Sequence, residues 1–382
     1  MSNSKKILIT LGDVGGIGPE IVIKALNSVK TEINPHDLCI VGSQDVFYKT
    51  ALELGLSTPT GIEIINMPYD LTKLKMSEPT QESGKHSLLS LKKCCELAKE
   101  GFAKAIVTAP VSKKSLNMAG YHYSGQTEIL KAFLSSGSLY KDINNNLQIS
   151  DIKQHHFKGK IKKILSKLNR SNKLYGPEML FIAGDLRVLL LTRHIKVAEI
   201  AQNLSIEKIL ASINTLKRSL EKDFNILNPK IALCGLNPHA GENGIFGLEE
   251  EYFLIPAIKK LRNKYAIDIE GPFPADTLWA KTVKSFMSNK KPEYDAYVAC
   301  YHDQGLIPVK MLAMDTAVNT TINLPVIRTS PCHGTAYDIA GQNKADYRSM
   351  IEAINLAHKI SSDKAFKTEE IIPICNQTSN IF

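Results

Sequence analysis

The chain opens with KKILITLGD, a short apolar run closed by Gly12 and Asp13, and GGIGPEIVIKAL follows at once. An apolar run, a glycine-rich turn and a helical period with Pro19 near its start describe a buried strand feeding a helix. That unit recurs. DLCIVGS reads as a strand, SLLSLKKCCELAKEG as an amphipathic helix, and AKAIVTAPV as a strand running into a loop. Further on, LRVLLLTRH is a strand and SIEKILASINTLKRSL a helix with Ser205 as its N-cap. KIALCGLNPHAG, EEEYFLIPAIKKLRNK and EYDAYVACYHD continue as strand, helix, strand. AVNTTINLPVIRTS precedes a glycine-bearing loop and the closing helix YRSMIEAINLAHKI. Strands alternating with helices predict an α/β chain with a mostly parallel sheet.

The rhythm fails from about 134 to 175, where Asn, Lys and Ser dominate and only IKKILSKL has a helical period. This stretch is read as an insertion. From Lys153 to Lys173 it carries eight Lys or Arg and no acid, which accounts for nearly all of the net charge of +9. Without interleaved aromatics or a binding fold, the basic run reads as a solvated surface, and neither nucleic acid nor membrane is expected as a partner. Seven scattered cysteines with no C-x-x-C pair indicate neither a disulfide framework nor a zinc ribbon, and fit a reducing cytoplasm. With 382 residues the chain suffices for more than one domain.

Three apolar strands end in histidine: LLLTRH in His194, IALCGLNPH in His239 and AYVACYH in His302. In open α/β sheets ligands bind at the carboxyl ends of strands. Three imidazoles there can converge on one divalent metal and leave positions open for substrate. Asp276, in the proline-rich GPFPADT, and Asp303, beside His302, are candidates to ligate, to orient an imidazole, or to act as a base. His122, His155 and His156 lack this context and read as surface residues.

A cationic set follows: Lys310 in IPVK, Asn319 in AVNTT and Arg328 in PVIRTS. It suits a phosphate or carboxylate, Arg by its bidentate fork and Lys as a point charge. Lys113 and Lys114 end another strand, and SGQTE supplies Gln126 and Thr127. GDVGGIGPE is not G-x-G-x-x-G, and ESGKHS lacks the upstream glycine of a P-loop, so a nucleotide would be held by other means.

Eight motifs, ITLGDVGGIGPEI, VTAPVSKKSLNMAG, SGQTE, CGLNPHAGENG, GPFPADT, YHDQGLIPVK, VNTTINLPVIRTS and HGTAYDIAG, resemble in order the 4-hydroxythreonine-4-phosphate dehydrogenase (PdxA-type) family of vitamin B6 biosynthesis. The resemblance spans nearly the whole chain apart from the insertion. It implies two α/β/α domains with the active-site cleft between them, similar to the isocitrate and isopropylmalate dehydrogenases. Residues 1–124 with 313–382 would form the first domain and 125–312 the second. His194, His239 and His302 match the family's ligands for one divalent metal, zinc, magnesium or cobalt. Gln126, Thr127, Lys310, Asn319 and Arg328 match its positions for a phosphorylated substrate. Lys310, Asp276 and Asp303 are then the candidates for proton transfer. HGTAYDIAG resembles the adenosine loop of the dehydrogenases just named, so His333, Gly334, Thr335, Ala336 and Asp338 would hold NAD or NADP. The family's pocket draws on both subunits of a homodimer. Gln126 stands where the family usually has His, Cys332 where it has Asp, and Val14 where it has Pro.

The reaction implied is oxidation of 4-phosphooxy-L-threonine at C3 by NAD(P)+, then loss of carbon dioxide to give 3-amino-2-oxopropyl phosphate. Competing readings are a related dehydrogenase of another phosphorylated hydroxy acid, such as a four-carbon sugar-acid phosphate, a metal-dependent hydrolase, and a non-catalytic scaffold.

Overall fold

A computed structural model describes residues 5–29, 33–134 and 176–362. The basic run 153–173, His155, His156, Cys375 and nearly all of the expected insertion lie outside the described residues. In chain order the elements are β1 (Lys6–Thr10), α1 (Gly18–Ser28), β2 (Leu38–Gly42), α2 (Gln44–Glu53), β3 (Glu63–Asn66), α3 (Gln81–Lys99), β4 (Ala103–Thr108), α4 (Lys113–Met118) and α5 (Gln126–Leu134). Then come β5 (Glu178–Ala183), β6 (Leu186–Leu190), α6 (Ile206–Asp223), β7 (Ile231–Cys234), α7 (Ile255–Tyr265), β8 (Ile269–Phe273), α8 (Ala275–Met287), β9 (Ala296–Ala299), α9 (His302–Ala313), β10 (Val318–Ile322), β11 (Ile327–Pro331) and α10 (Arg348–Ser362).

The strands form one 11-stranded sheet in the order β3-β2-β1-β4-β11-β10-β5-β6-β9-β7-β8. Pairing is parallel except at β11-β10, β10-β5 and β5-β6, so the antiparallel strands form the middle of the sheet. Strands buried on both faces need continuous apolar sequence, which is why ILI, LCIV, IALC and AYVA carry no alternation. Successive residues still serve opposite faces. Ile7 and Ile9 pack into one cluster and Leu8 into another; Leu189 and Leu191 likewise separate from Val188 and Leu190.

Two clusters sandwich the β3-to-β11 half and two sandwich the β5-to-β8 half, giving two α/β/α units on a shared sheet. The sequence division assigns residue 125 onward to the second unit. Ile129, Leu130 and Leu134 of α5 instead pack with Leu91 and Ile106 of the first. A segment joining two units docks wherever its apolar face is buried, and sequence order does not specify that.

Local capping follows the sequence closely. Ser205 caps α6 by accepting from the amide of Lys208, as expected, and Thr80 with Ser83 forms a capping box on α3. β5 was not legible. EMLFIA is joined to β6 by the two-residue turn Gly184-Asp185, with Gly184 at φ +56°.

The glycines of GDVGGIGPE serve packing. A Cβ on Gly15 would lie 2.6 Å from the Lys75 carbonyl, and one on Gly16 2.7 Å from that of Thr335. The amide of Ile17 donates to the Thr335 carbonyl at 3.0 Å. Three backbone segments therefore cross at van der Waals distance, which no side chain would permit. Among the described residues six cysteines are free, and no helix is long and apolar enough to cross a membrane.

Candidate active site

Strand order brings the site together. β6 and β9 are parallel neighbours, with Leu190 opposite Ala299, so the loops beyond their carboxyl ends are adjacent. His194 lies in the first loop and His302 opens α9 after the second; their ring centroids are 5.8 Å apart. Burial lowers the His194 pKa, and the Lys113 and His302 charges lower it further, so its ring is neutral and able to ligate. His302 Nδ1 lies 2.6 Å from Asp303 Oδ1, leaving Nε2 for another partner.

Most of YHDQGLIPVK forms the start of α9, which opens at His302. Gln304 accepts from the Cys300 amide at 2.7 Å and donates to the Gly235 carbonyl at 2.7 Å, tying the ends of β9 and β7. Gly305 lies in the first turns of α9. A Cβ there would lie 2.6 Å from Leu190 Cδ2 and 3.0 Å from both Ala299 Cβ and Val188 Cγ1, so glycine lets α9 lie close on the sheet.

A cavity of about 320 Å³ lies at these strand ends. Of the residues singled out from sequence, Gln126, Thr127, His194, His302, Lys310, Asn319, Arg328, His333 and Gly334 line it. Lys113, also noted at a strand end, lines it too, and Thr108, Glu128 and Ser330 join them. Thr108 and Ser330 carry no signal in sequence, because an isolated hydroxyl in a strand has many ordinary uses.

Arg328 is 3 % exposed, and no carboxylate forms an ion pair with it among the described residues. Its Nε and Nη2 donate to Thr108 Oγ1 at 3.1 and 2.8 Å, Nη1 to Thr321 Oγ1 at 3.1 Å, and Nη2 also to Gln126 Oε1 at 3.0 Å. Burial pulls its pKa down to about 10, which leaves it charged at neutral pH. The fork expected to grip an anion bidentately is thus largely engaged by neutral oxygens. What Arg328 offers is a buried positive charge with no ion-pair partner among the described residues; the Glu128 carboxylate on the same wall acts on it only from a distance, and such a charge favours an anion. The first turn of α5, with Gln126, Thr127 and Glu128 on the cavity wall, adds backbone amides that lack intrahelical acceptors. Asn319 Oδ1 and His333 Nε2 are buried without partners, as groups awaiting a ligand are.

Other expected residues stand apart. His239 does not line this cavity; it lies beyond β7 at φ +51°, with its ring 5.9 Å from that of Phe246. Among the described residues no three His, Cys, Asp or Glu side chains of one chain gather into a metal site. Within this chain His194 and His302 come together and His239 stands apart from them. Asp276 sits exposed in the first turn of α8, outside the cavity, and Asp303 is exposed and reaches it only through His302. Thr335, Ala336 and Asp338 also lie off the cavity wall: Thr335 is spent on Ile17, Ala336 has φ +40°, and Asp338 is exposed. Cys332 lines the cavity as a neutral thiol, its pKa pushed up to about 12 by burial.

The chain matches the family described as "Pyridoxal phosphate biosynthetic protein PdxA" over residues 23–156 and 143–357. It is 37% identical over 368 residues to a 4-hydroxythreonine-4-phosphate dehydrogenase of Synechocystis sp., covering 93% of this chain and 95% of that one. A Synechococcus sp. protein of the same name is 38% identical, covering 94% of this chain and 95% of its own. The crystal structure of 4-hydroxythreonine-4-phosphate dehydrogenase from Klebsiella pneumoniae superposes with a TM-score of 0.71 at 32% identity, covering 94% of this chain and 98% of that chain. A family match over most of the chain, with relatives at 37% and 38% identity, shows that the chain belongs to the PdxA family and is a dehydrogenase of pyridoxal phosphate biosynthesis.

Proposed function

We propose that this chain oxidises 4-phosphooxy-L-threonine at C3 with NAD(P)+ and releases carbon dioxide, yielding 3-amino-2-oxopropyl phosphate. The observation that carries the reading is Arg328, a buried cation with neutral partners only, in the same cavity as the His194–His302 pair. Arg328 and the first turn of α5 bind the phosphate. Asn319 offers its unpaired carbonyl oxygen to a substrate hydroxyl or amine, which fixes the carbon to be oxidised. Lys310, two turns along the helix that His302 opens, takes the proton from the C3 hydroxyl at its Nζ. Asp303 holds the His302 ring through Nδ1. The cofactor lies along His333 to Asp338, where Gly334 has open space around it and admits a close approach.

The paired imidazoles are a donor set suited to one divalent cation, zinc, magnesium or cobalt, with His239 as third ligand. Bound there, such a cation supplies Lewis acidity toward the reacting oxygen. Because His239 does not reach the cavity of its own chain, it serves a second copy. Two features support a homodimer interface at these loops. Phe246, whose ring lies against His239, is half-exposed, and Ile245 and Tyr252 of the segment that follows β7 are 74% and 60% exposed. Ile307, Met311 and Met314 make an exposed apolar stripe on α9 and its end.

Reduction of NAD(P)+ followed by absorbance, with 4-phosphooxy-L-threonine and four-carbon sugar-acid phosphates offered in parallel, tests the reading. Turnover is expected with the first substrate and is lost on chelation. Preference for a sugar-acid phosphate overturns the substrate, and indifference to chelation overturns the metal.

A further inference from the structure

The carboxamide of Gln126 is held at both ends. Its Nε2 donates to the Ala109 carbonyl at 3.0 Å, and its Oε1 accepts from Arg328 Nη2 at 3.0 Å. A carbonyl only accepts and a guanidinium only donates, so one amide orientation alone satisfies both. Gln126 opens α5, Ala109 follows β4, and Arg328 lies on β11 opposite Ile106 of β4. The side chain thus bridges a helix start to two neighbouring strands, with the guanidinium plane at one end.

That plane has few other constraints on this edge. Without Oε1, Nη2 keeps only the Thr108 hydroxyl, which it already shares with Nε. Thr321 holds Nη1 from β10 and is itself 3.3 Å from the Thr127 hydroxyl, so its hydrogen-bonding capacity is divided. A carboxylate in place of Gln126 would steady the guanidinium as well but would neutralise it. The amide is the side chain that orients the cation and leaves its charge intact.

We propose that Gln126 is a positioning residue for anion recognition, acting on the phosphate through Arg328 rather than by touching it. This role rests on the reading of the cavity as a phosphate site. Each polar atom of the carboxamide makes one bond within the protein, which fixes the amide between Ala109 and Arg328 and leaves the second Nε2 hydrogen as the one route to a direct contact. The held guanidinium is the proposed route, and the double-mutant cycle separates the two.

The test is a double-mutant cycle read by calorimetric titration with inorganic phosphate, and by KM and kcat for 4-phosphooxy-L-threonine. Gln126→Met keeps the length and removes both hydrogen bonds. It is expected to weaken phosphate binding and raise KM about tenfold, with kcat within about twofold, the scale of one hydrogen bond to a charged group. Gln126→Glu is expected to weaken phosphate binding further by pairing with Arg328. In an Arg328→Lys background, where no Nη2 exists to be held, Gln126→Met is expected to change phosphate affinity less than about twofold. An equal tenfold loss in both backgrounds means direct contact and overturns the proposal. Wild-type phosphate affinity in Gln126→Met also overturns it, while leaving the phosphate site standing. Failure of the unsubstituted protein to bind phosphate overturns both. Circular dichroism and thermal midpoints confirm folding, and Gln126→Asn, one methylene short of both partners, replaces the Met variant in the cycle should that one not fold.

Discussion

The phenol of Tyr337 donates to the buried carboxylate of Asp13 at 2.9 Å, joining residues 324 positions apart. Asp13 is 0% exposed and also accepts from the Gly15 amide at 3.0 Å and from Ser83 Oγ at 3.1 Å. Burial, with the Asp13 charge adding to it, pushes the Tyr337 pKa up to about 12, so the phenol stays a donor. One carboxylate thereby fastens the glycine turn after β1, the start of α3 and the loop assigned to the cofactor. Asp13 carried no weight in sequence, where it read only as the end of a strand.

Tyr337→Phe removes that donor and leaves a buried carboxylate with fewer partners. A loss of about 1–3 kcal/mol in unfolding free energy is expected from urea denaturation. The KM for NAD(P)+ should rise more than the KM for the phosphorylated substrate. An unchanged unfolding midpoint would show that this bond does not hold the two loops.

The proposed sharing of His239 between subunits has a distinctive signature. His302→Ala and His239→Ala are each expected to be inactive alone. Mixed after joint refolding in equal amounts, they form heterodimers with one intact site of two, and about a quarter of wild-type activity should return. Activity that stays at zero in a mixture shown to contain heterodimers would mean that His239 serves its own chain.

Gly305→Ala introduces a Cβ against Leu190, Ala299 and Val188. Overpacking of this kind costs about 1–3 kcal/mol. Because α9 begins at His302, lifting the helix also moves that imidazole in the cavity, so activity should fall more than stability. Thermal melting and turnover measured side by side check this. Wild-type values for both would mean that the helix has room to spare.

His86 gives a pH-dependent contribution to stability away from the cavity. It is 5% exposed, its Nε2 lies 3.1 Å from the Met67 carbonyl, and its ring stacks edge-on to Tyr69. Burial lowers its pKa below the usual 6.5, with the Met67 bond opposing in part. Below pH 6.5 the unfolded chain takes a proton that the folded chain refuses, so stability present above that pH is lost as pH falls toward the folded value. His86→Gln keeps a donor for Met67 and should remove up to about 1.4 kcal/mol per pH unit of this slope. Urea titrations from pH 7.5 down to about pH 5 measure it; parallel curves for the two proteins would exclude the contribution.

The alternation of apolar strands and amphipathic helices was legible because each element's period is local. The strand-end positions of His194, His239 and His302 were legible for the same reason, as were the caps at Ser205 and the cations Lys310 and Arg328. The use of the glycine-rich turn, a crossing of three backbones, was not legible because it depends on Thr335 and Lys75 far away in the chain. β5 was missed because a short apolar hexamer at the edge of a weak stretch gives no period to read.

Sequence by itself determined the fold class, the family, and the inventory of imidazoles, amides and cations at strand ends. Tertiary structure alone decided which of them meet. The order β6-β9-β7 and its register put His194 against His302 and send His239 elsewhere. Pairing of β11 with β4 and β10 fills the Arg328 fork with threonines and Gln126, turning an expected clamp into a buried point of charge. The start of α8 carries Asp276 out of the site altogether. The physical reason is common to all of these. Hydrophobic periodicity is fixed by neighbours a few residues away, whereas contact between side chains is fixed by strand order and register, which hundreds of residues set together.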